Sequence, residues 1–133
     1  MTVGIIGLGI MGSAYAANFL SDGVAVVVAD PATAGRDKLE AAGGTAHSGL
    51  GPWLRDCDLV IISVASPNVL AEVATELGEI LAPGQVVMET GTFAMADKLE
   101  ARARVEVGGA ILLDTPVSGT GVQAARRDLV IMA

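Results

Sequence analysis

Three glycines near the start of the chain have the spacing of a phosphate-binding turn. Gly7, Gly9 and Gly12 form the pattern G-x-G-x-x-G between a short apolar run and a helical pattern, and a second apolar run ends at Asp30, 18 positions after Gly12. Such glycines let the turn tighten, the backbone approach a pyrophosphate and the helix pack close to the sheet. The phosphates would lie at the positive N-terminal end of the helix, and the acid would bind an adenosine ribose. The pattern predicts a β-α-β dinucleotide site in preference to an ordinary strand-to-helix turn.

The composition suits one α/β domain over residues 1–133. Apolar residues make up 52% of the chain, glycines number 17 and aromatic residues only 3%, as expected for a sheet of Val, Ile and Leu covered by Ala-rich helices. The net charge of −7, with scattered basic residues, argues against nucleic acid as a partner. No apolar run approaches the roughly 18 residues of a membrane span, and no signal peptide is indicated, so we expect a soluble, cytoplasmic protein.

Several residue types that often carry chemistry have structural interpretations here. Cys57 is the only cysteine, which excludes an internal disulfide, favours a reducing compartment and predicts a packing residue rather than a nucleophile. The single histidine, His47, is predicted to lie at the surface. Tyr15 and Trp53 are predicted to be packing residues, and no metal site is predicted.

Strand and helix patterns alternate along the chain. The strand patterns cover 3–7, 24–29, 45–47, 59–64, 86–89, 110–114 and 129–133. The helical patterns cover 11–20, 33–42, 67–81 and 94–107, with a short helix or turn at 50–56. Alternation of this kind predicts a Rossmann-type, doubly wound, mainly parallel sheet in the order 3-2-1-4-5-6. Ligands bind such a sheet outside the carboxyl ends of its strands, which here precede 7–12, 30, 64–67, 89–92 and 114–119.

Two motifs about a hundred residues apart resemble those of one family. Gly7-Leu-Gly-Ile-Met-Gly12, continued by Ala16-Ala-Asn-Phe-Leu20, resembles the opening signature of the β-hydroxyacid dehydrogenases, which include 3-hydroxyisobutyrate and 6-phosphogluconate dehydrogenases. Asp114-Thr-Pro-Val-Ser-Gly119 is similar to the D-x-P-V-S-G substrate-binding stretch of that family. The resemblance covers essentially the whole chain and implies NAD(P) as the cofactor.

The resemblance also implies roles for individual residues. The backbone of the turn would hold the pyrophosphate, through Leu8, Ile10 and Met11 as well as the three glycines. Val64 and Ala65 would border the adenosine and nicotinamide sides, and Thr92 would approach the nicotinamide ribose. Ser118 and Gly119 would bind the carboxylate of a small-molecule substrate through a hydroxyl and a backbone N–H.

Some positions depart from the family pattern. Many members have Asn-Arg after the second strand, which suits the 2′-phosphate of NADP, whereas this chain has Asp30-Pro31. A carboxylate there would bind free hydroxyls and repel a phosphate, so NAD is favoured, although Arg36 lies close enough in sequence to leave NADP open. Where relatives have S-T-x-x-P, this chain has Gly91-Thr-Phe-Ala-Met95, so the sequence supports the ribose contact of Thr92 less firmly.

The catalytic lysine of the family has no counterpart in the sequence. In the family that lysine lies beyond the dinucleotide domain and is followed by a helical C-terminal domain that forms the dimer. The only lysines, Lys38 and Lys98, are predicted on outer helix faces. A proton-transfer group is worth about 10²–10⁴-fold in rate. We therefore expect residues 1–133 to be the N-terminal part of a longer, homo-oligomeric enzyme and to be inactive alone.

The favoured function is hydride transfer between a nicotinamide cofactor and a small 3-hydroxy acid. Two alternatives stay open, an NAD(P)-dependent reductase similar to the imine reductases and a non-catalytic NAD(P)-sensing module. Two acids beside the predicted cleft receive separate interpretations: Glu89 either contacts the cofactor or only ends a strand, and Asp114 hydrogen-bonds the turn that presents Ser118.

Overall fold

The computed structural model describes residues 1–132 and contains one large sheet with helices between its strands. The strands of this sheet are β1 (Thr2–Ile6), β2 (Ala25–Ala29), β3 (Thr45–His47), β4 (Leu59–Ile62), β5 (Val86–Glu89) and β6 (Ile111–Asp114). The helices are α1 (Ile10–Ser21), α2 (Thr33–Ala41), α3 (Pro67–Ile80) and α4 (Met95–Glu106), with a 3₁₀ turn at Pro52–Asp56. Two short strands, β7 (Val117–Ser118) and β8 (Val130–Ile131), flank a fifth helix, α5 (Gly121–Ala125).

The six strands of the large sheet are all parallel, in the order β3-β2-β1-β4-β5-β6. This confirms the predicted fold class and strand order. The register aligns the carboxyl ends of the strands, because Ile6 pairs with Ala29 and Ile62, Ile62 pairs with Glu89, and Glu89 pairs with Asp114. The segments that follow these ends therefore meet along one edge of the sheet.

The sheet separates two layers of apolar packing. On one face, Val3 and Ile5 pack with Val26, Val28 and other residues beneath α1 and α2. On the other face, a larger cluster includes Val60, Ile62, Leu70, Leu77 and Val105 from the central strands, α3 and α4. A fully buried Val, Ile or Leu stabilises the fold by roughly 1.5–3 kcal/mol, so these strands form a firm base for the loops at their ends.

The end of the chain differs from the sequence-based expectation. The sequence predicts a further sheet strand over 129–133, but of residues 129–132 only Val130 and Ile131 form a strand, and they pair antiparallel with β7. Ala133 lies outside the described residues. Helix α5 was not predicted, and it begins with a capping box in which the Thr120 side chain accepts from the N–H of Gln123 and the Gln123 side chain accepts from the N–H of Thr120.

The prediction for Cys57 is confirmed, and that for His47 needs correction. Cys57 is buried against the core and its thiol is free. His47 is half-buried rather than a surface residue, because its ring stacks on Trp53 with 4.6 Å between ring centroids. Trp53 also packs against the core, as predicted. Within residues 1–132, no helix has the length and apolar character needed to cross a bilayer.

Candidate functional site

The turn after β1 has the geometry that its glycines predict. Gly7 has a φ of +101°, in the left-handed region that side chains rarely adopt, and its N–H donates to the carbonyl of Ala29 at 2.9 Å. A Cβ on Gly12 would collide with the carbonyl oxygen of Gly7, so only glycine lets α1 approach the turn this closely. These two glycines fix the path of the chain from the strand into the helix.

Gly9 has a different environment from its two neighbours in the motif. A Cβ on Gly9 would meet no protein atom within 4 Å, because this residue faces open space. Gly9 is the N-cap of α1, no side chain caps that helix, and no acid lies in its first turn. The N–H groups of Ile10, Met11 and Gly12 have no acceptor within the helix. The residues thus fit a pyrophosphate, since an anion can approach the N–H groups at the helix end without meeting a Cβ at Gly9 or an acid in the first turn of α1.

Asp30 lies beside this turn at the end of β2. Its carboxylate accepts a hydrogen bond from the N–H of Leu8 at 2.6 Å through Oδ2, and one from the N–H of Ala32 at 2.7 Å through Oδ1. Each carboxylate oxygen can accept a further hydrogen bond. The half-buried side chain is therefore held in one orientation with acceptor capacity left for hydroxyl groups.

Arg36 is attached to the backbone behind this acid. Its Nη1 donates to the carbonyls of Asp30 and Pro31, both at 2.8 Å, and Nη2 donates to the hydroxyl of Thr33 at 3.3 Å. These bonds direct the guanidinium to the start of α2. In this arrangement Arg36 supports the loop after β2 and does not line the cavities beside the glycine turn.

Two cavities flank the glycine turn at the carboxyl edge of the sheet. The first, of about 300 Å³, lies between the loops after β1, β2, β3 and β4. The predicted site residues that line it are Gly7, Gly9, Asp30, Val64 and Ala65. Its remaining lining comes mainly from small or apolar residues, including Pro31, Gly49, Leu50 and Val69. A cavity with apolar walls and a carboxylate at its rim can accept an adenine ring and its ribose.

The second cavity, of about 210 Å³, lies on the other side of the turn. Its lining includes four of the predicted residues: Met11, Val64, Thr92 and Gly119. Ser63 and Val64 line both cavities, so the two are adjacent. The start of α1 borders both, with Gly9 at the first cavity and Met11 at the second, which is a layout that suits a dinucleotide.

Four predicted residues line neither cavity: Leu8, Ile10, Gly12 and Ser118. Gly12 is buried where α1 approaches the turn. Leu8 and Ile10 face a groove between α1, α2 and α5, so only their backbone borders the turn. Ser118 is exposed in β7 and pairs with Val130. The structure therefore brings Gly119 to the second cavity and leaves the Ser118 side chain at its periphery.

Tyr15 contributes to the second cavity although the sequence predicts only packing for it. The side chain packs against the core layer beneath α1 and also lines the cavity beside Thr90. Burial raises the pKa of the Tyr15 phenol, and the Thr90 side chain offsets part of that increase. The phenol is therefore a neutral hydroxyl at physiological pH.

Two predictions about charged residues are wrong. Lys98 does not lie on an outer face of α4 but is only 9% exposed, because it shares a helix face with the buried residues Ala101 and Val105. Its ammonium lies 2.8 Å from Glu89 and 2.5 Å from Asp114. Asp114 thus binds Lys98 through its carboxylate, instead of the turn that presents Ser118. The spacing of 98, 101 and 105 is the helical periodicity that would have revealed this buried face.

Comparison with known proteins decides the family. Residues 2–133 match the family model described as the NAD binding domain of 6-phosphogluconate dehydrogenase. The chain belongs to the β-hydroxyacid dehydrogenase family and is its NAD(P)-binding domain. This confirms the family and the cofactor class that the two motifs predict.

Curated relatives and solved structures agree with this family. The chain is 30% identical over 136 residues to L-threonate dehydrogenase of Haemophilus influenzae, covering 99% of the chain and 45% of the relative. It is 33% identical over 133 residues to NAD-dependent L-serine dehydrogenase of Pseudomonas aeruginosa, covering 98% and 45%. The structure of 3-hydroxyisobutyrate dehydrogenase of Mycobacterium tuberculosis with L-serine matches with a TM-score of 0.91 and 29% identity, covering 98% of this chain and 45% of that one.

Imine reductases share the fold as well. One from Bacillus cereus matches with a TM-score of 0.80 and 28% identity, covering 91% of this chain and 42% of that chain. The chain thus spans less than half the length of the relatives it matches.

Proposed function

We propose that residues 1–133 are the N-terminal, cofactor-binding domain of a longer NAD-dependent dehydrogenase acting on a small 3-hydroxy acid. The observation that carries the proposal is the pair of adjacent cavities that share Ser63 and Val64 and are both bordered by the uncapped start of α1. The bound cofactor would supply the hydride-accepting nicotinamide. The relatives named as dehydrogenases of L-threonate, L-serine and 3-hydroxyisobutyrate support the substrate class.

Each group of site residues has a proposed role. The backbone N–H groups at the start of α1 bind the pyrophosphate, and Asp30 binds the adenosine ribose. Val64 and Ala65 border the adenosine and nicotinamide sides, and Thr92 lies near the nicotinamide ribose. Ser118 and Gly119 bind the substrate carboxylate, with Gly119 at the cavity and Ser118 at its periphery.

The proposed preference is for NAD over NADP. A 2′-phosphate beside Asp30 would lie next to a carboxylate that is held in one orientation, and the two negative charges would repel each other. Arg36 would be the natural partner for that phosphate, but it donates its hydrogen bonds to the backbone carbonyls of Asp30 and Pro31. These contacts support recognition of free ribose hydroxyls.

The proton-transfer group is proposed to lie outside residues 1–133. Lys38 is exposed on α2, and Lys98 is held by two carboxylates on the side of α4. Neither lysine lines the second cavity. We therefore expect the domain alone to bind cofactor without turnover. Homo-oligomer formation through a further domain and a cytoplasmic location stay predictions.

The test is a turnover assay on the gene product that contains this chain, with NAD⁺ and a panel of 3-hydroxy acids including L-serine and L-threonate. Cyclic imines with NADPH form a second panel, because the imine reductase fold is so similar. Oxidation of a 3-hydroxy acid supports the proposal. Reduction of imines alone would replace it with the imine reductase alternative, and turnover of neither class would favour a sensing role.

A further inference from the structure

Lys98 is the centre of a polar network that extends across three elements. Its Nζ lies 2.8 Å from Oε2 of Glu89, the last residue of β5, and 2.5 Å from Oδ1 of Asp114, the last residue of β6. It also donates to the carbonyl of Gly91 at 2.7 Å. Nζ therefore donates to two acceptors, the Gly91 carbonyl and Asp114 Oδ1, and forms an ion pair with Glu89 Oε2.

Glu89 depends on this lysine. Glu89 is 1% exposed. Among the described residues, Oε2 has no hydrogen-bond partner, and its charge is balanced by the ion pair with Lys98. Its other oxygen, Oε1, accepts from the N–H of Gly91 at 2.6 Å. Gly91 is thus held at both ends, its N–H by Glu89 and its carbonyl by Lys98.

The network supports one half of the cleft and not the other. Gly91 and Thr92 line the second cavity, and Asp114 begins the stretch that continues to Gly119 in the same cavity. These two loops are also joined by backbone hydrogen bonds from Thr115 to the carbonyl of Glu89 at 3.0 Å and from Val117 to that of Thr90 at 3.2 Å. None of Glu89, Gly91, Lys98 and Asp114 lines the first cavity.

We propose that Lys98 is a positioning residue, which fixes the loops at Gly91–Thr92 and Asp114–Gly119 in the arrangement that binds the nicotinamide half of the cofactor. The inference rests on the proposed function, since it assigns the second cavity to that half. Loops that are ordered before binding lose less conformational entropy when a ligand arrives. Removal of Lys98 should therefore lower the affinity for ligands that occupy the second cavity and leave the affinity for ligands that occupy only the first unchanged.

The experiment compares NADH with ADP, which lacks the nicotinamide half, by titration calorimetry. For Lys98→Met we expect NADH affinity to fall about tenfold, as the loops become mobile. ADP affinity should stay within about twofold, because distant sites contribute independently. Lys38→Met, which removes an exposed lysine on α2, is the matched control and should leave both affinities unchanged. Equal losses for NADH and ADP, or no loss for either, would overturn the inference.

A milder variant keeps the test decisive if Lys98→Met does not fold. Asp114→Asn removes one carboxylate whose side chain is 52% exposed and leaves the buried pair of Lys98 and Glu89 in place. We expect the same selective loss for NADH, about threefold. Equal NADH affinities of Asp114→Asn and the unaltered chain would contradict the inference.

Hydrogen exchange gives a readout that needs no ligand. In either variant, amide exchange should accelerate in 90–92 and 114–119 but not in 8–13, because only the former segments depend on the network. Amide exchange rates that rise throughout the chain would indicate general destabilisation and contradict a positioning role. If the unaltered chain binds neither NADH nor ADP, the proposed function fails as well. If it binds both and the variants do not discriminate, only this inference fails.

Discussion

The carboxylate of Asp30 accepts a hydrogen bond of 2.6 Å from the backbone N–H of Leu8, so the acid at the end of β2 is tied to the turn that follows β1. This bond fixes the distance between the group proposed to bind the ribose and the helix end proposed to bind the phosphates. A second bond, from the N–H of Ala32 at 2.7 Å, sets the orientation of the carboxylate. The site proposed for the adenosine half is thus held in place by the protein's own hydrogen bonds.

Replacing Asp30 should narrow the preference for NADH over NADPH. In Asp30→Ala we expect NADH affinity to fall about tenfold, because a hydrogen bond to a charged group is lost. NADPH affinity should hold or rise, since the repulsion of its 2′-phosphate disappears. Asp37→Ala, at an exposed acid on α2, is the control for a general change in charge. Calorimetric titrations measure both affinities, and an unaltered chain with equal affinities would contradict the role given to Asp30.

The different surroundings of Gly9 and Gly12 lead to a paired prediction. The free energy of unfolding of Gly9→Ala should stay within about 1 kcal/mol of that of the unaltered chain, because its Cβ enters open space and only the N-cap preference for glycine over alanine is lost. NADH binding should nevertheless weaken at least about tenfold, as the methyl occupies the path of the pyrophosphate. Gly12→Ala should lose about 1–3 kcal/mol of stability through its collision with the Gly7 carbonyl.

Urea unfolding and NADH titration on the two variants test this contrast. If Gly9→Ala binds NADH as well as the unaltered chain does, no pyrophosphate lies against Gly9. If Gly12→Ala is as stable as Gly9→Ala, the close approach of α1 to the turn is wrong.

Ser118 should affect substrate affinity more than turnover. In the gene product that contains this chain, Ser118→Ala should raise KM for a 3-hydroxy acid about tenfold and change kcat much less, because a hydroxyl donor to a carboxylate is lost. Ser66→Ala, at the N-cap of α3, is a control at a serine that lines neither cavity. Steady-state kinetics measures both constants. Ser118 is exposed in β7. An unchanged KM would show that the substrate carboxylate binds elsewhere.

The Lys98 ion pairs should stabilise the fold over a defined range of pH. Lys98→Met leaves the carboxylate of Glu89 buried without its partner and should cost about 3–5 kcal/mol near neutral pH. Burial lowers the pKa of Lys98, but hydrogen bonds and attraction from Asp114 and Glu89 outweigh it, so the pKa lies above its ordinary 10.5. A raised pKa stabilises the folded state below the unfolded pKa, and that contribution disappears as pH rises through the folded pKa.

The stability difference between the unaltered chain and Lys98→Met should therefore shrink as the pH rises above 10.5, the ordinary pKa of lysine. Urea unfolding at several pH values measures it, with Lys38→Met as the matched control. A stability difference that grows with pH in the alkaline range would contradict a stabilising role for the ion pairs.

Local patterns made much of this site predictable from sequence. The turn at Gly7–Gly12 and the acid Asp30 depend on residues close in the chain, so their spacing alone carries the information. The cavity that joins Met11, Thr92 and Gly119 also follows from strand order, because parallel strands align their carboxyl ends.

Long-range polar contacts were not predictable in the same way. The spacing of Lys98, Ala101 and Val105 marks a buried face of α4, but which carboxylates meet Lys98 depends on how α4 packs against β5 and β6. Helix α5 was missed although Thr120 and Gln123 have the spacing of a capping box, because a helix of five residues gives no clear periodicity. The pairing of β8 with β7 depends on that helix turning the chain back.

Titration of the unaltered chain with NADH tests the central claim most directly. If one dinucleotide occupies both cavities across the end of α1, calorimetry should show a single saturable site per chain, with NADH binding at least about tenfold more tightly than ADP because the second cavity adds contacts. An affinity for NADH no greater than that for ADP, or no binding of NADH at about 1 mM, would contradict the account.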